Sequence, residues 1–72
     1  MKYGTLENAA SRLQPDEPWF FLRANDLLAP IIVDTYAEKL EATGDIHGAY
    51  EVKAIAAKMR EWQKHNGCRL PD

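Results

Sequence analysis

The side chains best equipped for chemistry in this 72-residue chain lie in one short run, EPWFFLRAND, Glu17 to Asp26. Arg23 offers a guanidinium fork, and Trp19 and Phe21 precede it by four and two residues. An arginine beside aromatic rings can grip a phosphate or carboxylate while a ring holds a base or another planar group. Asp26 sits at the corner that follows. Trp19, Phe21, Arg23 and Asp26 therefore form the candidate ligand-binding set. The same arginine can instead pair with Asp26 or Glu17 and fix a structural corner. The sequence leaves both roles open.

No other constellation points to catalysis. His65 and Cys68 have the H-x-x-C spacing of a half-site for a soft metal, but a structural zinc site takes four ligands and His47 is the only other imidazole. A histidine near a helix C-terminus is favoured by the helix dipole alone. Cys68 with His65 or His47 lacks an orienting third group and a Gly-rich nucleophile elbow. The carboxylate pairs Glu17/Asp26 and Asp34/Glu38 fall at a turn, a cap and a hydrophilic helix face, where structural roles suffice. The four glycines, Gly4, Gly44, Gly48 and Gly67, are scattered, so neither a P-loop nor a dinucleotide fingerprint is present. The reading is a non-enzyme with no cofactor and no metal.

Charge argues against DNA. The formal net charge is −2, whereas non-specific nucleic-acid binding rests on a basic surface. Residues 1–45 carry 4 basic and 8 acidic side chains, a net of −4, and residues 46–72 carry 5 and 3, a net of +2. A helix-turn-helix would place basic and amide side chains early in its second helix. Here Ile46, Ala49, Tyr50 and Glu51 come first, and Lys58, Arg60 and Lys64 come late.

The elements that must position Arg23 and its neighbours follow from local pattern. TLENAASRLQP predicts a short helix with Thr5 as N-cap and Pro15 as its stop. QPDEP, bracketed by two prolines, predicts a turn. Trp19–Arg23 reads as a strand or extended segment, with Trp19, Phe21 and Arg23 on one face and Phe20, Leu22 and Ala24 on the other. Both faces then need cover: the protein's own helices for one, a second subunit or a ligand for the other. NDLLAP predicts a capped turn into a helix, with Pro30 in its first turn and Gly44 as its stop. The apolar stripe of that helix is Ile32, Tyr36 and Leu40, flanked by Val33 and Ala37. A second helix of about 20 residues follows, with Asp45 as N-cap and a stripe of Val52, Ile55, Ala56, Met59 and Trp62. The short link makes the pair an antiparallel hairpin.

Size sets the remaining expectation. A single domain of this length buries only about 60% of its unfolded surface and usually needs a staple. One cysteine, Cys68, makes no intrachain disulfide, so a homo-oligomer is expected. No apolar run reaches the roughly 20 residues of a membrane span, and Met1–Gln14 has no signal-peptide core. A lone cysteine fits a reducing cytoplasm.

EPWFFLRANDLLAP, then YAEKLEATG and a helix bearing MREWQK, resembles a group of small uncharacterised bacteriophage and prophage accessory proteins, over about Glu17 to Lys64. The resemblance implies a protein of the bacterial host cytoplasm that acts by binding. Such proteins block a host protein or sequester a nucleotide signal of a defence system. The chain is thus expected to be a mainly α single domain: a short N-terminal helix, one aromatic extended segment or strand and a long two-helix hairpin, assembled as a homo-oligomer. Its expected function is counter-defence as a sponge for a small anionic ligand, a nucleotide immune signal, held at a subunit interface. The alternative is an inhibitor or adaptor that docks its aromatic face on a host protein.

Overall fold

Pro30 and Gly44 bracket the first helix, as their backbone chemistry requires. In a computed structural model that describes residues 11–70, α1 spans Ala29–Ala42 with Pro30 in its first turn. There a missing N–H leaves no helical bond unmade. Thr43 ends the helix, and Gly44 follows with φ of 99°, a left-handed conformation that glycine adopts without a steric penalty. Asp45 then caps α2, Ile46–Asn66, its carboxylate accepting the Gly48 N–H at 2.8 Å. Gly67, with φ of 82°, ends that helix while its N–H donates to the Gln63 carbonyl at 2.8 Å. The two helices pack on each other as the expected hairpin.

The seam between them consists of small residues. Ala29, Ala37, Ala49, Val52 and Ala56 form the buried core, and Gly48 and Pro30 are buried beside them. Side chains this short let two helix backbones approach closely, but each removes little apolar area from water. No large side chain is fully buried among the described residues.

The predicted stripe of α1 is therefore rotated from the observed seam, whereas that of α2 is met at Val52 and Ala56 and displaced at its larger residues. On α1 the buried line is Ala29 and Ala37, with Val33 half-buried, while Ile32 and Tyr36 stay 49% and 52% exposed. On α2, Gly48, Ala49, Val52 and Ala56 face α1; Ile55 and Met59 are half-buried, and Trp62 is 43% exposed. Close approach selected the small residues, and the large ones lie on the flank.

The remaining expectations fare differently. The N-terminal helix falls mostly on residues 1–10, outside the described residues. The QPDEP turn forms, with the Glu17 N–H donating to the Gln14 carbonyl at 3.2 Å. No strand forms at Trp19–Arg23, which has no regular secondary structure. A strand needs a neighbouring ladder, and Pro18 contributes no N–H to one. Among the described residues the pairing nearby is an isolated parallel bridge between Asp26 and Arg69. Among the described residues no helix is long and apolar enough to cross a membrane.

Candidate functional site

The corner before α1 is built by Asp26. Its N–H donates to the Arg23 carbonyl at 3.0 Å, its carboxylate accepts the Leu28 N–H at 2.8 Å, and its carbonyl accepts the Ala29 N–H at 3.0 Å. An aspartate that bonds the backbone two residues on holds a turn, so Asp26 organises the entry to α1 one turn before the helix begins. The C-terminal segment docks on this corner. Leu27 N–H donates to the Arg69 carbonyl at 2.8 Å, and Arg69 N–H donates to the Asn25 carbonyl at 3.0 Å. Gln63 of α2 ties the corner to the hairpin through its side-chain amide, which donates to the carbonyls of Ala24 and Asp26.

A surface pocket of ≈ 430 Å³ lies where these pieces meet, lined by Asn25, Trp62, Asn66, Gly67, Cys68 and Arg69. Its lining residues carry an indole, two side-chain amides, a thiol and a guanidinium. The Asn66 amide donates to the Trp62 carbonyl at 3.0 Å, which fixes one wall. Arg69 makes no ion pair among the described residues, whereas Arg60 pairs with Asp34 and Lys53 with Glu41. The arrangement suits a small planar group stacked on Trp62 with a phosphate or carboxylate at Arg69. Against an anion stands the carbonyl end of α2, worth about half a negative charge at the same place.

The predicted site residues occupy a different region. Trp19 is 68% exposed, Phe21 55%, and Phe20 between them 83%. Arg23 is exposed and forms no ion pair with Glu17 or Asp26; the Glu17 carboxylate accepts the Gln14 N–H at 3.2 Å, and Asp26 is engaged at Leu28. Arg23 and Asp26 are joined through one backbone hydrogen bond, with no side-chain link between them. Without a strand, alternation no longer puts Trp19, Phe21 and Arg23 on one face.

Asn25, Asn66 and Arg69 are the pocket residues that sequence reasoning passed over, and Trp62 was assigned to the seam. A signal was present. Trp62 and Asn66 are four residues apart and share a helix face, and the helix-ending Gly67 turns the chain so that Arg69 returns to it. His65 and Cys68 do not converge on a metal: His65 Nε2 lies 2.9 Å from Glu61 Oε1, Cys68 is exposed, and no cluster of three or more potential ligands occurs among the described residues. Compared with known proteins, the chain matches no family model, no curated protein and no solved structure.

Proposed function

We propose that the chain is a non-enzymatic interaction protein that docks on a partner protein through Trp19, Phe20 and Phe21. The exposure of these three consecutive aromatic rings, 68%, 83% and 55%, carries the reading. Contiguous exposed apolar surface marks interaction sites, and aromatic side chains supply most of the energy at protein interfaces. Each ring can bury on the order of 150–250 Å² on docking, so three can contribute several kcal/mol. In the setting implied by the resemblance to phage proteins, the partner is a host protein that is inhibited or recruited. A photo-crosslinking amino acid at Phe20, introduced in bacterial cells, should give one discrete adduct with a host polypeptide. The same probe at Tyr50, also exposed, should not. Adducts of equal yield from both positions would sink this reading.

Capture of a small anionic ligand, such as a nucleotide signal, is the second reading, and one observation favours it. Arg23 and Arg69 both lack an acidic partner among the described residues, and Arg69 stands beside Trp62 in a pocket. A native mass spectrum of protein from bacterial cells tests it. An added mass of a few hundred daltons, lost on denaturation and absent in Arg69→Ala or Arg23→Ala, supports sequestration and says which arginine holds the ligand. Protein free of any such mass removes it.

A further inference from the structure

Trp19–Arg23 has the composition of a strand and no neighbour among the described residues. From Glu17 to Arg23 the chain runs with neither turn nor bend. Paired as a strand, the five residues from Trp19 would span about 16 Å, an ordinary strand length. The run is held at both ends. A turn between Gln14 and Glu17 precedes it, and the Asp26 N–H fixes the Arg23 carbonyl at 3.0 Å. Between these ties, among the described residues, no backbone N–H of Trp19–Arg23 and no carbonyl of Trp19–Leu22 makes a hydrogen bond.

The rings and this backbone cannot be covered separately. Trp19, Phe20 and Phe21 are consecutive and each more than half exposed, so a partner that buries all three also takes water from the peptide groups between them. Each N–H or carbonyl left unpaired by that burial costs about 1–3 kcal/mol, and a few such groups cancel what the rings contribute. A cleft lined by side chains does not supply a row of evenly spaced donors and acceptors. The edge of a β-sheet does. Two copies of the segment paired with each other would form a short two-stranded ribbon, marginal in water and open at its outer edges. A sheet already built brings its own neighbours. Charge narrows the partner further: Arg23 is the one charged side chain of Trp19–Arg23, and it makes no ion pair among the described residues.

We propose, on the reading that Trp19–Phe21 docks on a partner protein, that Trp19–Arg23 adds as a strand to an exposed sheet edge of that partner. The edge is apolar where it meets the rings and acidic where it meets Arg23. Pairing restores the alternation that the free segment lacks, with Trp19, Phe21 and Arg23 on one face of the extended sheet and Phe20 and Leu22 on the other. Main-chain hydrogen bonds then hold the segment, and pockets for alternate side chains select the partner. Pro18, without an N–H, stands just before the strand, where it removes no ladder bond.

Amide hydrogen exchange, read residue by residue in the isotope-labelled full chain, tests the proposal. The free protein is compared with the adduct trapped by a photo-crosslinker at Phe20. In the free protein the five amides of Trp19–Arg23 should exchange as in an unstructured peptide. In the adduct one alternate set, either Trp19, Phe21 and Arg23 or Phe20 and Leu22, should slow by about tenfold or more. A strand added at an edge turns only every second N–H towards its neighbour. Unchanged rates at all five overturn the proposal, and so does equal slowing at all five. Arg23→Glu should lower the adduct yield by about fivefold, while Arg23→Lys keeps most of it. Equal yields from those two variants reject the acidic edge. Absence of any adduct removes the docking reading and the added strand together, whereas an adduct without alternate protection removes the strand alone.

Discussion

Gln63 holds Asp26 in place from across the hairpin. Its side-chain amide nitrogen donates to the Asp26 carbonyl at 3.0 Å and to the Ala24 carbonyl at 2.8 Å, in a partly buried position. One NH₂ group thereby donates to two carbonyls of the corner and ties it to α2. Both the entry to α1 and the docking of the C-terminal segment depend on that corner.

Removal of this amide should be expensive for its size. Gln63→Leu keeps a similar volume and helix propensity but takes the amide donor from the Ala24 carbonyl and leaves the Asp26 carbonyl with the Ala29 N–H alone. A buried polar group so orphaned costs about 1–3 kcal/mol. Urea denaturation should show that loss, and Gln63→Glu, which also lacks the donor, should not rescue it. A change under about 0.5 kcal/mol, ordinary for a surface position, would mean that water replaces the amide.

The start of α2 rests on Asp45. Its carboxylate accepts the Gly48 N–H, and a β-carbon added at Gly48 would overlap that carboxylate. Asp45→Ala should therefore lower stability by about 1 kcal/mol. Asp45→Asn, which keeps an acceptor, should recover most of it. Equal losses in the two variants would show that charge at the helix N-terminus matters more than the hydrogen bond.

Much of this hairpin was legible in the sequence, because its boundaries are set by residues whose backbone chemistry is strong and local. Pro30, Gly44, Asp45 and Gly67 act at the positions their types suggest. The packing face was less legible. Periodicity weighs Ile32 and Trp62 above Ala37 and Ala49, whereas close helix approach favours the small residues, and nothing local announces which wins. Trp19–Arg23 shows a third limit. Its composition suits a strand, yet a strand is defined by its neighbour, and no neighbour pairs with it among the described residues. The pocket depends on Gly67 folding Arg69 back towards Asn25, a contact between residues 44 positions apart that spacing along the chain does not reveal.

The alanine seam gives a test of the packing itself. Ala37 and Ala56 are fully buried, so leucine at either position must force the helices apart. Overpacking of this kind costs about 1–3 kcal/mol. Ile32→Ala on the flank should have a smaller effect on the monomer, because half of that side chain already meets solvent. Thermal unfolding at concentrations low enough to dissociate any oligomer would compare them. A larger loss at Ile32 than at Ala37 would return the seam to the large residues.

The two interhelical ion pairs should add little. Lys53 Nζ lies 3.1 Å from Glu41, and the two side chains are 51% and 48% exposed. Water screens such a pair, and the measured value of exposed pairs is about 0–1 kcal/mol. A double-mutant cycle on Lys53→Ala and Glu41→Ala should give a coupling within that range, falling with salt. A coupling above about 2 kcal/mol would show that these charges are far less hydrated than their exposure implies.

The exposed aromatic run separates function from stability most directly. If Trp19 and Phe20 were core residues, alanine at each would cost about 3–5 kcal/mol. They are instead 68% and 83% exposed, so Trp19→Ala and Phe20→Ala should each shift stability by no more than about 0.5 kcal/mol. Three exposed aromatic rings that contribute nothing to folding burden solubility unless something covers them. Partner capture should therefore be lost in the same variants that unfold at the wild-type urea midpoint. A large loss of stability would place the rings inside the protein's own core, and the docking surface would then have to be sought elsewhere.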